Sequence, residues 1–147
     1  MQAVKSDLAA LFRSQRLAVL ATHAQGQPYT SLVAFSCSDD LKSLFFVTGR
    51  VTRKYANLTN DSRVALLVDN RSNEAADFRQ SMAVTATGTV EEVQKAEAEN
   101  LVHAYLAKNP HLEHFLSSPS CALLRIRIKK YYIVQRFQNV VEIDVKS

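Results

Sequence analysis

The chain has 147 residues, 47% of them hydrophobic and 22% charged, with a formal net charge of +4. That is the size and composition of one globular domain spanning residues 1–147, able to bury roughly 68–70% of its unfolded surface. It excludes a need for disulfide or metal staples, and no apolar run approaches the roughly 20 residues of a membrane span.

At the start, Val4, Leu8, Leu11 and Phe12 fall at helical spacing and predict a short amphipathic helix. Asp7 and Arg13 interrupt its apolar positions, so no signal-peptide core is visible and the expected location is the cytoplasm. Residues 16–22, RLAVLAT, read as a buried strand. The turn AQGQ leads into a second strand, PYTSLVAFSCS, and a polar turn into a third over 43–48, SLFFVT. Gly49 is expected to stop that strand, and Thr52 to N-cap a short helix, RKYANLTN.

A fourth strand is expected over 62–70, followed by a loop or poor helical turn, RSNEAADFR. SMAVTATGTVEEV alternates like a long strand, in which Gly88 permits a bend or bulge. Ala98, Leu101, Val102, Tyr105 and Leu106 predict the best helix of the chain, over about 92–108. Its acidic start, EEVQKAEAE, suits the helix dipole. After Asn109 and Pro110 comes a short irregular or helical connection, PHLEHFLSSP. CALLRIRIKK then sets Leu124, Ile126 and Ile128 against Arg125, Arg127 and Lys129, one face buried and one wet. YYIVQRF and VVEIDV read as two further short strands. About six to eight strands joined mostly by short turns, with one long helix among them, imply a mainly β, antiparallel barrel with flanking helices.

Several residues carry only bland readings. Cys37 and Cys121 lie in no metal-ligand spacing and are expected to be reduced and packed. His111 and His114 lack the further ligands of a zinc site, so no metal is expected. The stripe Arg125 to Lys130 has no interleaved aromatics, which argues for a solvated face rather than a nucleic-acid surface.

The informative segment is SLFFVTGRVTRKYANL. A strand ends at Thr48, the chain turns, and a helix starts at Thr52 with Arg53 and Lys54 in its first turn. Between Asp40 and Asp61 there is no acidic residue. Cations at a helix N-terminus are unfavourable by a few tenths to about 1 kcal/mol. A bound anion reverses that penalty, because the free amide groups and both cations then face negative charge.

The order of elements and the run V-T-x-x-x-T-R-K resemble the pyridoxamine-phosphate-oxidase-related FMN-binding split barrels. The resemblance covers nearly the whole chain and is strongest over 16–93. It implies that Arg53 and Lys54 grip the phosphate of flavin mononucleotide (FMN), with Thr48 and Thr52 as hydroxyl partners. It also implies that backbone groups of Ser31, Leu32, Val33 and Val47 meet the ring and ribityl chain. Gln80 lies where a glutamine contacts flavin in the true oxidases, and it would reach the site from a second subunit of a homodimer. The chain departs from those oxidases at the C-terminal side. It has no Trp, with Val134 near that position, and QRFQNVVEIDVKS carries no Arg-x-His pair. The implied activity is therefore an FMN-dependent oxidoreductase acting on an unidentified small molecule or electron donor, not on pyridoxamine phosphate. The alternatives are a non-catalytic flavin sensor, or the same barrel holding a deazaflavin or haem.

Overall fold

The computed structural model describes residues 2–136 and 139–146. Seven antiparallel strands run in the order β3-β2-β1-β4-β5-β6-β7, and β3 also pairs with β6. That pairing closes six strands into a barrel and leaves β7 as an addition outside it. The strands are β1 (Leu17–Ala24), β2 (Gln27–Cys37), β3 (Ser43–Gly49), β4 (Arg63–Asp69), β5 (Met82–Val93), β6 (Cys121–Gln135) and β7 (Asn139–Asp144). Helices α1 (Gln2–Ser14), α2 (Arg53–Asn60), α3 (Asp77–Gln80), α4 (Glu99–Lys108) and α5 (Glu113–Ser117) flank them. None is long and apolar enough to cross a membrane.

Strand alternation sets what faces in and out. One register row runs Ser31, Leu20, Leu66, Ala86 and Tyr131 and turns to the barrel interior, and Ile143 on β7 continues it against the same core. The neighbouring row, Leu32, Val19, Leu67, Thr85 and Tyr132, turns outward. Helix α1 adds Leu8, Leu11 and Phe12 to the core, as their spacing predicts. Phe12 meets Phe35 edge to face at 5.9 Å between ring centroids.

Three expectations need correction. The helix expected from about 92 begins at Glu99, after a single tight turn at Lys95–Glu97. Glu91 and Glu92 belong to the strand, as the alternation of SMAVTATGTVEEV predicts, and not to the helix start: across the barrel wall Glu91 meets Arg125 and Arg127 and Glu92 meets Arg50. YYIVQRF is not a separate strand as far as it is described. β6 runs unbroken to Gln135, and Phe137 lies outside the described residues. The apparent break is a bulge, since Thr87 pairs with Lys130 while Gly88 pairs with Ile128. The extra residue, Lys129, shifts the alternation, so Leu124, Ile126 and Ile128 face in before it and Tyr131 and Ile133 after it. Gly49, finally, is the last residue of β3 rather than its stop.

Both cysteines are free. Burial pushes the Cys37 thiol up to about 12, against the pull of the nearby Lys108 ammonium. Burial likewise holds Lys108 down to about 8. Its Nζ donates to the Phe12 carbonyl at 2.7 Å, near the end of α1, and sits 3.6 Å from the Phe35 ring centroid. These shifts act oppositely on alkaline stability. Unfolding frees the Cys37 thiol to ionise near its ordinary 9.0, so its share of stability is full below that and is lost as pH rises toward about 12. Lys108 is protonated on unfolding, so its share is full above its ordinary 10.5 and is lost as pH falls toward about 8. The two offset each other up to about pH 10.5. Above it net stability falls, as the buried phenols of Tyr105 and Tyr131, both held far above their ordinary 10.0, join Cys37. Urea melts across the alkaline range should therefore show a late decline, and in Lys108→Met an earlier one, starting near pH 9.

Candidate functional site

Pairing between β2 and β3 covers only Phe35↔Phe46, Ser36↔Phe45 and Cys37↔Leu44. Beyond Phe35 the two strands part, while β1 continues along the far side of β2 as far as Gln27 and β6 along the far side of β3 as far as Gly49. A cleft of ≈ 340 Å³ opens in this split. Leu32, Val33 and Ala34 line it from β2, and Val47, Thr48 and Gly49 from β3. Thr52 and Lys54 close one end, and Leu112 and Phe115 form a wall before and within α5. Six of the expected site residues thus meet in one place: Leu32, Val33, Val47, Thr48, Thr52 and Lys54.

The β3–α2 junction is held by its own hydroxyls. Thr52 caps α2, its Oγ1 accepting from the Tyr55 amide at 3.3 Å and donating to the Gly49 carbonyl at 2.9 Å. With that proton committed, Thr48 is the donor in the 3.0 Å contact between the two hydroxyls. Thr48 is 2% exposed. Both threonines therefore shape the junction before any ligand arrives, and the donors left for an anion are the first amides of α2 and the Lys54 ammonium.

The cations divide. Arg50 is neutralised, its Nη1 lying 2.7 Å from Glu92 Oε2, and the Tyr55 hydroxyl donates to the same carboxylate at 2.8 Å. Burial opposes ionisation of Glu92, but these two partners outweigh it and hold its carboxyl below the usual range. Lys54 is half-buried in the cleft. Arg53 is exposed, with its guanidinium 5.8 Å from the Tyr29 ring centroid, beside the cleft rather than in it. Among the described residues neither Arg53 nor Lys54 has a carboxylate partner. Among the described residues, Lys54 is the one charged residue lining the cleft.

Ser31 lies just past the cleft on β2, and its Oγ is buried without a hydrogen-bond partner among the described residues. Gln80 ends α3, exposed and away from this cleft, so only a second copy would bring it to such a site. The wall at Leu112 and Phe115 was not foreseen. It is fixed from a distance by Lys95, whose Nζ donates to the carbonyls of Leu116, Ser118 and Cys121 at 2.8, 3.0 and 2.8 Å. A wider groove of ≈ 730 Å³ lies beside Arg125, but Glu97 and Glu99 line it and would repel an anion.

The family described as pyridoxamine 5′-phosphate oxidase matches residues 4–135. No curated protein matches the sequence. Among solved structures, an FAD-binding protein from Mesorhizobium loti is 20% identical at a TM-score of 0.69, with 90% of this chain and 92% of that chain covered. A heme-binding protein from Mycobacterium smegmatis is 18% identical at 0.79, with 92% and 57% covered. ChuZ from Campylobacter jejuni is 14% identical at 0.83, with 98% and 60% covered. The chain thus spans little more than half of the last two. At these identities the likeness is one of fold.

Proposed function

Because the chain belongs to the pyridoxamine 5′-phosphate oxidase family, matched over residues 4–135, we propose that it is an FMN-binding flavoprotein that passes electrons between flavin and a small molecule in the cytoplasm. The observation that carries this reading is the split between β2 and β3. Strand backbone and aliphatic side chains lie along it, and at one end lies a helix start whose two cations have no carboxylate partner among the described residues. An isoalloxazine is flat, with one apolar and one hydrogen-bonding edge, which suits a strand backbone beside Leu32, Val33 and Val47. A dianionic phosphate suits the start of α2, where Lys54 already lines the cleft and Arg53 is the next residue of the same turn. Once bound, the flavin supplies the electron chemistry and the protein supplies its position.

A single-chain cleft of ≈ 340 Å³ is at the small end for such a ligand. We therefore take the active form to be a homodimer. The outward row Leu32, Val19, Leu67, Thr85 and Tyr132 supports this, since it is an uncharged stripe crossing five strands. In such a dimer Gln80 of one copy would serve the cleft of the other.

The deciding experiment is a visible spectrum of the purified protein, with released cofactor identified by mass. A colourless protein that ignores added FMN would overturn the reading. Parallel titrations with a deazaflavin and with haem test the neighbouring possibilities. Haem is the less suited, because among the described residues the cleft lining carries no imidazole, thiolate, thioether or phenolate to ligate iron.

A second reading is a flavin-holding sensor without turnover. It is favoured by the missing Trp and Arg-x-His and, among the described residues, by a lining whose one acid–base group is Lys54. Bound flavin that resists reduction by both NADH and NADPH would support it.

A further inference from the structure

The split between β2 and β3 has a definite cause in the fold. In the register that ends at Phe35↔Phe46, the next rung would set Ala34 opposite Val47. Continuing that ladder would join the Ala34 carbonyl to the Val47 amide. Instead the hydroxyl of Tyr105, from α4, donates to the Ala34 carbonyl at 2.8 Å, and the backbone amide of Val47 lies on its other side, where it favours the ionised phenol against the burial that raises its pKa. A side-chain hydrogen bond stands on the Ala34 carbonyl where the first missing rung would begin. Tyr105 is 0% exposed, packed with Phe45, Val47, Leu116, Cys121 and Leu123, so it has no freedom to withdraw.

We propose that Tyr105 is a positioning residue whose hydroxyl stands in for the Ala34–Val47 rung and props β2 and β3 apart at the head of the cleft. Its consequence for binding, that the propped strands keep their main-chain groups open to the flavin, rests on the function proposed above. The hydroxyl is held on β2 by the Ala34 carbonyl and faces the Val47 amide of β3. A phenylalanine would fill the same space and leave the carbonyl and the amide free to bond each other. Closing by that one rung would narrow the cleft between Ala34 and Val47, both of which line it.

Tyr105→Phe tests this, with Asn109→Ala as its comparison. Asn109 Nδ2 also donates from the end of α4 to the β2 backbone, at the Phe35 carbonyl, 3.3 Å away, but Asn109 does not line the cleft. Two readouts are needed. In the ligand-free protein, a cross-strand amide–amide NOE between Ala34 and Val47 should be absent in wild type and present in Tyr105→Phe. In FMN titrations, Tyr105→Phe should bind tenfold or more weakly, while Asn109→Ala, at a similar loss of melting temperature, keeps wild-type affinity. Should the amides stay apart in Tyr105→Phe and FMN affinity match that of Asn109→Ala, the proposal is overturned. If the amides close in the variant but the wild type takes no FMN, the prop stands and the flavin reading falls.

Discussion

Replacing Arg53 and Lys54 together by alanine is expected to weaken FMN binding by about 10²- to 10⁴-fold. Each side chain would lose a charge-assisted hydrogen bond to phosphate worth about 1.5–3 kcal/mol, and about 1.4 kcal/mol is tenfold. Stability should scarcely move. Alanine is the best helix former, and removing two cations from the first turn of α2 relieves an unfavourable dipole contact of a few tenths of a kcal/mol each. The lost contact between Arg53 and the Tyr29 ring works against this by about 0.5–1 kcal/mol at an exposed site. Of the single variants Lys54→Ala should cost more affinity, since Lys54 lines the cleft and Arg53 must turn away from Tyr29 to reach it. Fluorescence titration with FMN, alongside a thermal melt, separates the two effects. Unchanged affinity in the double variant would place the phosphate elsewhere.

The largest expected loss of stability is at Gly88. A Cβ built there lies 2.0 Å from the Arg127 carbonyl oxygen, 2.9 Å from its carbon and 3.1 Å from Ile128 Cα, all main-chain atoms of β6. Nothing flexible is available to move, so Gly88→Ala must push the two strands apart at the bulge. We expect a cost of at least about 3 kcal/mol, since overpacking against a rigid backbone sits at the upper end of such changes. For a domain of this length that lowers the melting temperature by roughly 6–12 °C. Gly49→Ala is the control. Its nearest neighbour would be the Thr52 Cγ2 methyl at 3.8 Å, an ordinary contact, so calorimetry should find it close to wild type. Equal melting temperatures for the two variants would contradict the bulge geometry.

How much was legible in the sequence depended on how local each feature is. The run Thr48 to Lys54 could be read because a strand end, an N-cap and two cations fall within one short stretch, and α2 lies where its cap places it. The bulge was half legible. Gly88 suggested it, but the doubled Lys129–Lys130 looked like a break between strands, because alternation alone does not distinguish a phase slip from an end. Glu91 and Glu92 misled for a related reason. Acidic pairs favour a helix start, yet here their partners are basic residues brought alongside by the fold. Tyr105 was visible only as one apolar position of a helix. Its bond to Ala34 spans 71 residues, and no local pattern encodes it. The same holds for Leu112 and Phe115, whose place against the cleft depends on Lys95 gathering carbonyls from beyond α5.

The parted strands carry a further consequence. From Gln27 to Val33, β2 has a partner on one side only, and the whole strand, QPYTSLVAFSC, contains no charged residue. Natural sheets guard such borders with lysine, proline or a covering element, since a bare border recruits strands from other chains. Here only Pro28 fills that role within the strand. Whatever occupies the gap therefore also shields the border against aggregation. Starving the protein of its ligand during expression would then show first as insoluble material, before any missing activity could be assayed.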